Sequence, residues 1–139
     1  MKYYKINPEV VGGLGEETQM DEKYNPPKVQ ILHFVFEGWL GDDLVEGYPC
    51  FLISENIKNK IQNLTGFRIE NAKVTPSEQF YLVHPNKILE KFFWLKIHGK
   101  AQEDDFGISE DFYLIVSEKA LAILQTCNLH YADIEEVSV

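Results

Sequence analysis

The 139-residue sequence is short of basic side chains. Thirteen Lys and Arg stand against 22 Asp and Glu, a formal charge of −9 at pH 7. That balance argues against direct binding of nucleic acid or an anionic membrane, both of which depend on cations neutralising phosphate. Cysteine is equally scarce: Cys50 and Cys127 make no disulfide framework. Each lies among apolar neighbours, where reduced thiols are commonly buried. No window approaches the ~20 consecutive apolar residues of a membrane helix. Residues 1–8 lack the apolar core of a signal peptide. These absences predict a cytoplasmic protein.

The spacings that carry chemistry are missing as well. His33, His84, His98 and His130 are scattered singly, with no H-x-x-x-H or C-x-x-C pair to suggest zinc. Gly12-Gly13-Leu14-Gly15 is too short for a dinucleotide fingerprint and lacks the Lys-Ser/Thr of a phosphate loop. Ser54 and Ser117 lack the glycines of a nucleophile elbow. The acidic runs Asp42-Asp43 and Glu103-Asp104-Asp105 are the more serious candidates for acid–base work or a hard cation. Neighbours in a strand point to opposite faces, however, and no D-x-D-x-D-G loop occurs. The sequence therefore predicts no catalytic residue, no cofactor and no metal.

What is present describes a globular chain. Hydrophobic residues make up 45% and aromatics 13%, which together with the length predicts one domain over 1–139. Residues 2–6 read as a short edge strand. Residues 9–28, rich in Gly and Pro, read as a long surface loop. Residues 29–36 read as a central strand covered on both faces. Phe51-Leu52-Ile53 is an apolar strand, after which Ile57, Ile61 and Leu64 stripe one helix face. Ser54 can cap that helix, and Gly66 can take a left-handed position beyond its end. A strand follows at 67–70. The same order recurs at 113–116, Ser117-Glu118, Leu121/Leu124/Cys127 and a closing strand over 131–137. Duplication would explain the repeat, and so would a recurrent supersecondary unit. Residues 76–83 suit a short helix, and Phe92–His98 a strand. The predicted fold class is α+β: a mixed or largely antiparallel sheet of five to seven strands, with two or three helices packed on one side.

The negative charge is regional. Residues 29–57 hold five acids and no Lys or Arg, and residues 101–118 hold six acids and again no base. The rest of the chain is slightly basic. A field of this kind would steer a basic partner. Trp39, in the Gly-flanked acidic loop 37–43, reads either as an interface anchor with a charged rim or as a side chain tucked under the loop.

The C-terminal third supplies a resemblance. Asp104-Asp105-Phe106, then Tyr113-Leu114-Ile115-Val116-Ser117-Glu118-Lys119-Ala120-Leu121 and Ala132-Asp133-Ile134-Glu135-Glu136-Val137, resembles immunity proteins of bacterial polymorphic toxin systems. The resemblance implies a cytoplasmic antidote that binds and neutralises a cognate protein toxin, in many such systems a basic nuclease. The charge count, separately, places the partner-binding surface at Trp39, Asp42, Asp43, Glu46, Glu103, Asp104 and Asp105. Three other readings stand beside this one: an acidic inhibitor of another nucleic-acid enzyme, a small enzyme whose acids and histidines converge in the fold, and a structural subunit of a larger assembly. Homo-oligomerisation through an exposed strand such as 29–36 stays open.

Overall fold

A computed structural model describes residues 1–137 and contains fourteen strands and three short helices in an α+β fold. Two strands set the architecture. In β8 (Cys50–Ser54) and β11 (Phe92–Ile97) the runs 50–53 and 92–95 are continuously apolar, so neither face can be left to water there. They pair antiparallel, with Ile53 opposite Phe93 and Phe51 opposite Leu95. The sheet continues through β9 (Phe67–Glu70) on one side and β7 (Leu44–Gly47) and β2 (Glu9–Val10) on the other. One face gives Phe51, Ile53, Phe93 and Leu95 to a first core. The other gives Cys50, Leu52, Phe92 and Trp94 to a second.

The first core is closed by a four-stranded antiparallel sheet. Its order is β12 (Phe106–Ile108), β13 (Leu114–Ser117), β1 (Tyr3–Asn7) and β14 (Asp133–Glu136). Helices α1 (Glu55–Lys60) and α3 (Glu118–Leu124) fill it with Ile57, Ile61, Ala120, Leu121 and Leu124. Ser54 Oγ accepts from Ile57 N at 3.4 Å and Ser117 Oγ from Ala120 N at 3.0 Å, the capping expected of both serines. The second core lies under β10 (Lys73–Pro76), β6 (His33–Phe36) and β3 (Gly12–Leu14), together with α2 (Glu78–Val83) through Phe80. Helices therefore lie on both sides of the five-stranded sheet. A further ribbon pairs β4 (Gln19–Asp21) with β5 (Lys28–Ile31).

Three local expectations change. Residues 2–6 are no edge: β1 lies between β13 and β14, and Ile6 is buried. Residues 9–28 hold β2, β3 and β4, so they are not one long loop. The glycines there permit close pairing: a Cβ on Gly12 would stand 1.8 Å from the Val35 carbonyl oxygen. Residues 29–36 divide at Leu32 into β5 and β6, and Ile31 faces solvent. Gly66 has φ +99°, yet it lies beyond the helix C-cap at Ile61. There it lets the Phe106 carbonyl approach to 2.0 Å of where a Cβ would be.

The recurrence legible in the sequence is a pseudo-twofold relation between two halves of the first core. Sheet order β7-β8-β11-β9 repeats as β12-β13-β1-β14, strand for strand. A hairpin runs into a serine-capped helix, and the closing strand returns beside a strand supplied by the other half. In chain order β1 precedes β7, β8, α1 and β9, whereas β11 precedes β12, β13, α3 and β14. Each half thus lends its first strand to the sheet of the other. The parallel pairing of β2 with β7 even has a counterpart in the bridge between Lys100 and Ile108.

Candidate functional site

The acidic loops emerge as structural members of this exchange. Asp42 is wholly buried; its Oδ1 accepts from His130 N and its Oδ2 from Tyr131 N, both at 2.8 Å. Asp43 is also buried, and Oδ2 accepts from Asn128 N at 2.7 Å. In the second half Asp105 does the corresponding work. Its Oδ2 accepts from Thr65 N at 3.0 Å, and its Oδ1 accepts from Ser117 Oγ at 2.7 Å. Asn128 and Thr65 each lie eleven residues beyond the capping serine of their half. Each hairpin's aspartate thus holds the segment after the other half's helix. Asp104, half-buried, accepts from Lys100 N at 2.8 Å.

Partner contact through Trp39, Asp42 and Asp43 is accordingly corrected. The Trp39 indole N–H donates to the Asp42 carbonyl at 2.8 Å, and the ring packs edge-on to Phe92 at 5.4 Å. Lys87 covers it, with Nζ 4.7 Å from a ring centroid. The residue is tucked under its loop, the second of its two readings. Asp42 gives both oxygens and Asp43 gives Oδ2 to backbone N–H groups, and burial of the two side chains keeps them off the surface a partner would meet. Of the remaining named residues, Glu103 is exposed and pairs with Lys100 at 3.6 Å, and Glu46 is half-buried.

Glu46 opens onto an apolar groove of about 440 Å³. Cys50, Phe51, Trp94 and Leu95 form part of its lining, with Pro26-Pro27-Lys28 along one side. Ile108 and Phe112 also line it, the latter in the turn between β12 and β13. Phe112 and Tyr48, from the two hairpin tips, are more than half exposed. The groove joins the two base-free windows: Glu46, Tyr48 and Phe51 come from the first, and Ile108 and Phe112 from the second. Glu110 and Asp111, beside Phe112, are exposed. No protein-family model, curated protein or solved structure matches the chain.

Charge inside the groove is unbalanced. Among the described residues no hydrogen bond or ion pair reaches the Glu46 carboxylate, and burial pushes its pKa above the ordinary glutamate range. The two lysines on the lining are engaged elsewhere. Lys28 lies 4.0 Å from the Tyr24 ring centroid, while Lys96 lies over Trp94 and reaches Glu70 at 3.4 Å. Burial pushes the Cys50 thiol up to about 12, so it stays protonated at neutral pH and is no nucleophile. Glu9 is a second raised carboxylate. Burial is the main cause, offset by N–H donation from Leu40 and Asp42. Its Oε2 accepts from Leu40 N at 2.6 Å, and its Oε1 has no partner.

The histidines do not converge. His33 is buried against Thr75 Oγ1 at 2.9 Å, and His84 Nε2 accepts from Trp39 N at 3.3 Å. Among the described residues no group of three or more His, Cys, Asp and Glu side chains is placed to hold a metal ion. No helix among them is long and apolar enough to cross a membrane.

Glu46 makes stability depend on pH in a definite direction. Its folded pKa is raised, so its contribution is fully present below the ordinary glutamate value and is lost as pH rises through the raised one. Glu46→Gln removes this loss. The variant gains stability relative to the natural chain at pH 7, and the gain shrinks as the pH is lowered toward 4. Urea unfolding of both proteins across that range measures it; a difference that does not vary with pH would show that Glu46 is solvated like any surface acid.

Proposed function

We propose that this protein is an antidote of the immunity type, cytoplasmic, which neutralises a cognate protein toxin by binding it, an acidic face meeting a basic toxin domain. One observation carries the reading: the two base-free windows come together around a single apolar groove with exposed aromatic tips and an unneutralised carboxylate. A surface with an apolar centre and a charged rim suits a protein partner better than a small polar substrate. The −9 charge favours a basic partner, and the C-terminal resemblance to immunity proteins points the same way.

The contact surface in this reading shifts from the buried Asp42 and Asp43 to Glu46, Tyr48 and the 109–113 turn. Glu103, Asp104 and Asp105 are peripheral to it. The test is co-expression with the product of a neighbouring toxin gene, followed by co-purification. Reversing both exposed rim charges, Glu110→Lys with Asp111→Lys, is expected to slow association about tenfold at low ionic strength and to flatten its salt dependence. Equal association rates for the natural and reversed proteins at every salt concentration would sink the acidic-face reading.

A further inference from the structure

We propose that the groove seats an arginine side chain of the protein partner, its guanidinium on the Glu46 carboxylate and its methylene stem across Phe51 and Phe112. The proposal rests on the binding reading above and names the partner group that the groove recognises.

The pseudo-twofold relation singles out Glu46. In the first hairpin Leu44 faces Ile53 and Glu46 faces Phe51. In the second Phe106 faces Val116 and Ile108 faces Leu114. With Ser54 and Ser117 as the fixed points, Leu44 corresponds to Phe106 and Glu46 to Ile108. An apolar side chain therefore fills this register position in one half, while an acid fills it in the other, and both line the same groove. Packing alone would accept an apolar residue at 46. The acid carries a desolvation penalty that no group within the described chain offsets.

A cation from outside answers that penalty. An apolar guest would leave the carboxylate unpaired, and an anionic one would repel it. Between the two basic side chains arginine fits better. Its planar fork meets both carboxylate oxygens, it is more weakly hydrated than an ammonium, and its flat face stacks on aromatic rings such as Phe112 and Tyr48. At about 440 Å³ the groove falls within the range of pockets that hold a small organic ligand, which leaves room for one arginine side chain.

The test uses the dipeptide acetyl-Leu-Arg-amide as probe, titrated to millimolar concentration against the full chain and followed by backbone amide NMR. Shifts are expected to cluster at Glu46, Phe51, Ile108 and Phe112. Replacing arginine by citrulline, its uncharged isostere, is expected to weaken binding at least fivefold, and Glu46→Gln to do the same for the arginine peptide. Phe112→Ala, an exposed position outside both cores, serves as a second variant and also weakens it. Shifts located elsewhere, or equal affinity for the arginine and citrulline peptides, would overturn the proposal. The two readings fail separately. A toxin complex sensitive to Glu110 and Asp111 but a dipeptide that does not bind removes the arginine seat alone. A dipeptide that binds as described, with no toxin recovered, upholds the seat and removes the antidote reading.

Discussion

Replacing Asp42 by alanine is expected to lower the unfolding free energy by about 4 kcal/mol, because a hydrogen bond to a charged acceptor contributes ~1.5–3 kcal/mol and two backbone donors lose theirs together. At this chain length the loss corresponds to a drop of roughly 15 °C in melting temperature. The carboxylate is fully buried and receives His130 N and Tyr131 N, one on each oxygen. Removing it strands both amides where the turn before β14 is held to the 37–43 loop. Asp42→Asn keeps one acceptor oxygen and sets an NH2 against the other amide, so it falls between the two. Thermal unfolding measures the size, and amide exchange gives the location, with protection lost first at 130 and 131. A change under 1 kcal/mol would mean that the loop is solvated, as its composition suggests. A binding assay that reversed the charge at Asp42 would thus report unfolding, and the interface is better probed at Glu110 and Asp111.

What the sequence discloses here follows the range of the interactions. The serine caps at 54 and 117 act on amides three residues away, and the helix stripes and the alternation in Phe92–Ile97 are equally local. All are legible in the sequence alone. The roles of Asp42, Asp43 and Asp105 depend on amides 40 to 89 residues distant. Nothing near them in sequence separates a solvated acid from a buried one with two donors. The regional charge was legible as a count, and the turn carrying Glu110 and Asp111 keeps that charge at the surface. Glu46 could be singled out only with strand register in hand, since its isolation shows by comparison with Ile108. A faint signal was available: an acid inside an otherwise apolar strand, two residues before the aromatic hairpin tip at Tyr48. Strand exchange lay furthest out of reach. Residues 3–7 pair with 114–117 and 133–136, and no local pattern announces a partner so far along the chain.

That exchange leads to the largest effect expected. A chain beginning at Pro8 is expected to lose the whole β12-β13-β1-β14 sheet, and with it the cooperative unfolding of the first core. Without β1, β14 has no neighbour, and β13 is left with one open side. The cap residues lose support too, since Glu118 N donates to the Lys2 carbonyl at 2.9 Å. Ile6, buried between the sheets, leaves a cavity that its neighbours cannot close. The loss exceeds ~5 kcal/mol, comparable with the total stability of a domain this size. An edge strand would instead fray with a small effect, which is what the position in sequence suggests. A synthetic peptide of residues 1–8 is expected to restore the missing sheet saturably, seen as recovered circular dichroism and protection at 114–117. Failure of the peptide to rescue, together with an unfolding transition unchanged by the truncation, would refute the exchange. The binding surface should follow the same course: Ile108 and Phe112 belong to the hairpin that β1 anchors through β13. Removal of β1 therefore erases one side of the groove while Glu46, on the intact β7, loses only the apolar neighbours that bury it.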